Sequence, residues 1–219
     1  MISSLAQRVE KDLCEWFSRS HRIIFNERDL QMQLAFMLRA SGHYNDVELE
    51  YYVPQEVLGD YPWRNELRLD IVVEKDNEFL PIELKYKTKS VSMQIDRFGE
   101  QLHEKYKVIK TQGATDVGQY EFWKDVRRLE LVRARFGNVV GGIAVFVTNE
   151  LYYLTTPSEK SLNHNMSMAA GVTPRAKHWT RYTKTTDGLP DINLEDDYTI
   201  QWRQTDIGGL DFRYTIVNI

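Results

Sequence analysis

The chain opens on an apolar repeat of helical period. Leu5, Val9, Leu13 and Trp16 share one face, which predicts a helix over about residues 3–18. A second repeat, Leu30, Leu34, Met37 and Leu38, predicts a helix that starts behind Asn26. Asn26 carries the side-chain acceptor of an N-cap, Glu27 and Asp29 suit the positive first turn, and Gly42 lies just beyond the end. The period then drops to two. In "DVELEYYVPQ", Val47, Leu49, Tyr51 and Val53 alternate with Glu48, Glu50 and Tyr52, as in a half-buried strand. "LRLDIVVEKDNEFLPIELKYKTK", residues 67–89, reads as two strands around a polar turn. Leu67, Leu69, Ile71 and Val73 are expected on one face of the first, with Arg68, Asp70 and Val72 on the other. In the second, Ile82, Leu84 and Tyr86 oppose Glu83, Lys85 and Lys87.

Residues 90–115 are polar and mixed and yield no element. Val117, Tyr120, Trp123, Val126, Leu129, Val132 and Phe136 mark the buried side of a long helix over about 116–136. "VVGGIAVFVTNELYYLTT" reads as a buried strand, a turn at Asn149-Glu150 and a second strand. Residues 156–190 are loop-rich, and "YTIQWR" and "FRYTIVNI" suggest a strand pair around Gly208-Gly209. No repeat, low-complexity segment or linker interrupts the chain. The order implies one α/β domain over 1–219, with a mixed central β-sheet flanked by helices. Within it, 1–25 is an N-terminal helix, 26–150 the core and 151–219 a strand-and-loop extension.

Composition narrows the function. Of 219 residues 42% are hydrophobic, enough for a core, and 27% are charged, which excludes a disordered chain. With 28 basic and 32 acidic residues the formal net charge is −4. That excludes nucleic-acid binding through overall charge alone and leaves room for a local basic groove. Cys14 is the only cysteine, which excludes an intrachain disulfide framework and a multi-cysteine zinc site. Arg8, Glu10, Lys11 and Asp12 interrupt the first segment where a signal peptide needs an apolar stretch, and no apolar run has membrane-spanning length. The expectation is a cytoplasmic protein with no membrane partner.

Charges inside strand-like apolar runs cost free energy unless they have a task. Asp70, Glu83 and Lys85 are such charges. A two-residue turn at Asp76-Asn77 places Asp70 directly opposite Glu83, with Lys85 one step along the same face. Directly paired side chains begin about 4.5–5.5 Å apart at Cβ. Two carboxylates that close repel, and one rises in pKa unless something positive lies between them. A hard divalent cation does so, and Mg²⁺ combines few carboxylates with waters and phosphate oxygens. An adjacent lysine can orient or deprotonate the attacking water, a set suited to in-line attack on a phosphodiester.

This constellation resembles the PD-(D/E)XK nuclease superfamily, whose fold is restriction-endonuclease-like. Its signature is an aspartate on one strand and an acidic-x-lysine triplet on the next, here Asp70 and Glu83-Leu84-Lys85. The proline of the family name is missing, since Leu69 precedes Asp70. The resemblance implies a Mg²⁺-dependent nuclease, with Mn²⁺ able to substitute. Asp70, Glu83 and the Leu84 carbonyl would hold the cation, Lys85 would act on the water, and Glu27 on the preceding helix would support the metal. It covers residues 26–150. Lys87 and Lys89 continue the second strand as a basic patch, and Gln119 and Tyr120 would supply the glutamine and aromatic of the RecB-like branch. DNA is the expected substrate; an RNA nuclease with the same site, or a non-catalytic nucleic-acid-binding module, is the alternative. One site per chain cuts one strand, so double-strand cleavage calls for a homodimer or two sequential hits.

Other features weigh less. Glu50 is either a further metal ligand or, on the bland reading, a solvated strand charge. "RAKHWTRYTK" sets Arg175, Lys177, Arg181 and Lys184 around Trp179 and Tyr182, which suits phosphate and base contacts or a solvated loop. Arg127 and Arg128 have Glu130 and Asp125 as intrahelical partners. His164 has no ligand spacing around it. A Walker loop and a Gly-x-Ser-x-Gly turn are both absent, which leaves ATP and serine hydrolysis without support.

Overall fold

The structure is a computed structural model and describes residues 2–219. Helix α1 spans Ser4–Phe17, and the Ser3 hydroxyl accepts the Ala6 amide at its start. Helix α2 spans Glu27–Ala40, with Asn26 Oδ1 accepting from the Asp29 amide at 2.9 Å, as its sequence predicts. Strand β1 follows at Asp46–Val53. Strands β2 (Leu67–Lys75) and β3 (Glu78–Lys87) form the expected hairpin. Asp76 and Asn77 both have positive φ (52° and 64°), the conformation whose twist matches antiparallel strands.

The segment left unassigned forms a second hairpin, β4 (Val91–Arg97) and β5 (Glu100–Ile109), turning at Phe98-Gly99. Helix α3 covers Thr115–Arg135 and strand β6 Ile143–Thr148. Short strands β7 (Gly171–Thr173), β8 (Ala176–Lys177), β9 (Ile192–Asn193) and β10 (Tyr198–Ile200) punctuate the loop-rich region. Strands β11 (Arg203–Ile207) and β12 (Leu210–Asn218) end the chain.

The central sheet is mixed, in the order β1-β2-β3-β6-β12-β11. β3 and β6 are parallel and every other neighbour pair is antiparallel. Helices α1 and α2 cover one face, packing Leu5, Val9, Leu13, Leu30 and Leu34 on Ile71, Ile82, Leu84, Val145 and Val147. Helix α3 and the loop-rich segment cover the other, packing Trp123, Val126, Leu129 and Trp179 on Leu69, Val72, Ala144 and Phe146. Strand β6 shows why three layers form: it is buried on both faces.

Gly118 serves this packing. A Cβ there would collide with the Tyr153 hydroxyl, so the usual helix penalty of roughly 1 kcal/mol for glycine is the smaller cost.

Two expectations need correction. The run after Asn149-Glu150 is not a strand but a 3₁₀ turn, Leu151–Leu154. Glu150 caps it through the Tyr152 amide, and Tyr153 turns inward against the Phe146 ring at 4.7 Å. Of "YTIQWR" only Arg203 partners the last strand: Tyr198–Ile200 pairs with Gly171–Thr173 in a separate two-stranded sheet. The hairpin around Gly208-Gly209 is β11–β12, and β12 also pairs with β6. Within 151–219, Arg203–Ile207 and Leu210–Asn218 thus add two strands to the central sheet. Among the described residues, no helix is long and apolar enough to cross a membrane.

Candidate functional site

Strands β2 and β3 part at Asp70. Their ladder runs from Lys75–Glu78 at the turn to Ile71–Ile82, in the expected register, and stops one step before Asp70 would face Glu83. Beyond that point, β3 amides pair with carboxylates. The Leu84 amide donates to Asp70 Oδ2 at 2.7 Å, and the Tyr86 amide to Glu27 Oε2 at 2.8 Å. A buried amide left unpaired would cost about 1–3 kcal/mol. The two acids thus hold the gap open while both amides stay bonded.

The other edge of β2 is broken at the same level. Leu49 pairs with Ile71 and Tyr51 with Leu69, but Glu50 and Asp70 between them do not pair. Glu50 has φ 53°, a left-handed backbone that costs a non-glycine residue roughly 1–3 kcal/mol. Gln31 reaches down from α2 and takes over. Its Nε2 donates to the Asp70 carbonyl at 2.7 Å and to Glu50 Oε1 at 3.0 Å. The break also changes which way the strands face. Val47, Ile71 and Val73 pack with α1 and α2, whereas Val53, Leu67 and Leu69 pack with α3. The unbroken alternation expected for 47–53 and 67–73 is therefore wrong, because one turned backbone unit shifts the phase of both strands.

Glu83 and Lys85 face α3. Lys85 Nζ lies 2.6 Å from Asp125 Oδ2, and Arg128 donates to the other Asp125 oxygen at 3.3 Å. Lys85 Nζ also donates to the Leu84 carbonyl at 3.2 Å. Glu83 is only 4% exposed, and its Oε1 has no hydrogen-bond partner among the described residues. Burial pushes the Asp70 carboxyl up to about 6 against the pull of Lys85 and the Leu84 amide, with Asp125 and Glu27 adding to the rise. Burial, Asp125 and Asp70 push Glu83 well above the usual carboxylate range. Burial alone would lower Lys85, but Asp125, Glu27, Glu83 and Asp70 together hold its ammonium well above the usual value. The surrounding carboxylates thus favour the ammonium form of Lys85, which suits a side chain that orients a water or stabilises negative charge.

An open depression of about 340 Å³ lies over Asp70, lined by Asn26, Glu27, Arg28, Gln31, Glu50, Lys87 and Gln112. Glu83 and Lys85 do not line it. Asp70 thus joins an open acidic side to a closed side made of Glu83, Lys85, Asp125 and Arg128. Glu50 is half-exposed, turned into the depression and 3.9 Å from Arg28, so it is more than a solvated strand charge.

The remaining candidates divide. Lys87 lines the depression and is held by Glu121 at 2.7 Å; Lys89 is exposed. Gln119 and Tyr120 are fully buried. Gln119 accepts from Asn163, and the Tyr120 hydroxyl donates to the Pro190 carbonyl, so both are engaged inside the fold. Lys177 is buried too, with Nζ 4.0 Å from the centre of the Trp123 ring. Arg175 pairs with Asp197, while Arg181 and Lys184 are exposed; none of these lines the depression. The basic-aromatic pattern of this segment is thus partly a packing pattern. Arg127 and Arg128 bond Glu130 and Asp125 as expected, and His164 bonds the Pro157 carbonyl.

Sequence reasoning missed Asp125 and Gln31 as parts of the site. The signal was present: each lies within an apolar stripe, Asp125 between Phe122 and Leu129, and Gln31 before Leu34, Ala35 and Leu38.

A divalent cation suits the donors in one respect: Glu83 Oε1 is a buried oxygen without a partner, and Asp70, Glu83 and the Leu84 carbonyl are hard oxygen ligands. Among the described residues, however, no three His, Cys, Asp or Glu side chains are grouped closely enough to hold a metal ion. Comparison with protein-family models, with curated proteins and with solved structures gave no significant match.

Proposed function

We propose that this protein is a divalent-cation-dependent nuclease of the PD-(D/E)XK, restriction-endonuclease-like type, acting on DNA. The observation that carries the reading is the gap at Asp70. Its carboxylate accepts the Leu84 amide where β2 and β3 diverge, and on β3 the adjoining Glu83 and Lys85 are both buried titratable groups, the acid pushed towards its neutral form and the lysine held as a cation. Salt bridging alone does not account for a partnerless Glu83 oxygen on one side of Asp70 and a strained Glu50 backbone on the other.

In this reading Asp70, Glu83 and the Leu84 carbonyl would hold Mg²⁺ or Mn²⁺, which supplies Lewis-acid polarisation of the phosphate. Lys85 offers a fixed positive charge to the negative charge that develops on the phosphate, and Asp125 positions it. Glu27 keeps β3 in place through the Tyr86 amide, and Gln31 keeps Asp70 in place through its carbonyl.

The test is nicking of supercoiled plasmid, with single-stranded DNA and RNA in parallel, in Mg²⁺, Mn²⁺ and EDTA. Cation-dependent cutting that Lys85→Ala loses supports the reading; preferential RNA cutting reassigns the substrate. One observation favours a second reading, a non-catalytic nucleic-acid-binding module: no three acids are grouped for a metal among the described residues. Folded protein that cuts nothing, and whose melting temperature neither cation shifts, selects it.

A further inference from the structure

The β4–β5 ribbon pairs only with itself and takes no part in the central sheet. Its base is anchored, since Val91 and Ile109 join the core beneath α1 and α2. Its tip is not. Phe98 is wholly exposed and has φ 54°, a backbone region where glycine and asparagine are at home. An exposed aromatic on a strained turn gains nothing for the fold on either count.

The ribbon comes near the rim of the depression at two points. At the base, the Gln112 amide bonds the Thr88 carbonyl at 2.8 Å, and Gln112 lines the depression with Lys87. Near the tip, the Arg97 guanidinium lies 5.2 Å from the ring centre of Phe25, next to Asn26 and Glu27. The ribbon and its flanks carry Lys89, Arg97, Lys105, Lys107 and Lys110 against Asp96, Glu100 and Glu104, in a chain of net charge −4. All five basic residues are exposed, and none forms an ion pair among the described residues.

We propose that this ribbon is a docking arm for duplex DNA, lying in the major groove with its lysines on phosphates and Phe98 against the bases. A two-stranded ribbon fits a groove about 12 Å wide, and strands of this length reach roughly 23 Å. The deep, narrow major groove of duplex RNA would refuse it. That the arm delivers DNA to the depression rests on the nuclease reading; the docking itself does not.

Fluorescence anisotropy of the full chain with a labelled DNA duplex in EDTA tests binding without cleavage. Phe98→Ala is expected to weaken binding about 5-fold or more. Lys105→Glu/Lys107→Glu is expected to weaken it more than about 10-fold and to flatten the salt dependence by about two phosphate contacts. Both changes lie on exposed positions, and thermal unfolding confirms the fold. Unchanged affinity in both variants, no duplex binding by wild type, or equal binding of duplex RNA overturns the proposal. A wild type that binds through the arm but cuts nothing keeps the arm and sinks the nuclease. Cutting that Phe98→Ala leaves unchanged at subsaturating DNA does the reverse.

Discussion

Lys85 and Asp125 are locked together at 2.6 Å, and both are largely shut off from water, at 15% and 2% side-chain exposure. The pair ties the middle of α3 to the strand that carries the candidate chemistry. Lys85→Ala should lower cleavage by about 10²–10³, the usual loss for one positioned charge. It should also destabilise the protein by about 3 kcal/mol, because Asp125 keeps only Arg128 as partner. Lys85→Ala/Asp125→Asn should recover most of that stability and none of the activity. Denaturant unfolding beside the nicking assay checks both; full stability in the single variant would contradict the buried pair.

Asp70→Asn should stabilise the cation-free protein. Its folded carboxyl holds a proton up to about 6 against an ordinary 3.8. Stability contributed by the protonated form is complete below 3.8 and is lost as pH rises through 6. The variant should gain about 1–3 kcal/mol at pH 7.5 in EDTA, fading to nothing near pH 4. Melting curves across this range are the measurement. Mg²⁺ should raise the melting temperature of wild type and not of the variant.

Glu50 offers a backbone test. Glu50→Gly removes a side chain that Gln31 bonds but relieves the left-handed strain, so stability should change by less than about 1 kcal/mol. Glu50→Val puts a branched side chain where φ is 53° and should cost about 2 kcal/mol. If valine is the better tolerated of the two, the strand break is not fixed at this residue.

Lys177 gives a separate pH dependence. Burial pushes its amine down to about 7 from an ordinary 10.5. The unfolded chain binds that proton at higher pH than the folded one, so stability falls as pH drops from 10.5 towards 7 and levels off below. Lys177→Met should therefore be more stable than wild type by roughly 1–3 kcal/mol at pH 7, less the cation–π attraction between the ammonium and the Trp123 ring, and the difference should shrink by pH 10. Chemical unfolding at pH 7 and 10 decides it.

The parts of this site that could be read in the sequence depend on short-range rules. Asp76-Asn77 dictates a two-residue turn, and the turn dictates the register that brings Asp70 towards Glu83. The parts that could not be read depend on the rest of the chain. Glu50 carries no glycine or proline to mark the strand break. Asp125 lies in the apolar stripe of its helix, but only the fold shows that it meets Lys85 there. In the ribbon, Val91, Met93 and Ile95 do alternate with Ser92, Gln94 and Asp96, but the partner strand is exposed almost throughout and gives no matching pattern. Lys177 and Arg181 sit in one basic-aromatic run, yet Trp123 claims the first and water the second.

The place of β12 has a consequence for synthesis. β6 is apolar through Ile143–Val147 and ends up between β3 and β12, but β12 is the last of the sheet strands to leave the ribosome. Until then β6 presents a bare, uncharged edge, a template for pairing with other chains. Nascent or truncated chains that stop before Leu210 should therefore aggregate rather than wait, and a chaperone that shields an extended apolar strand should act on this protein during its translation.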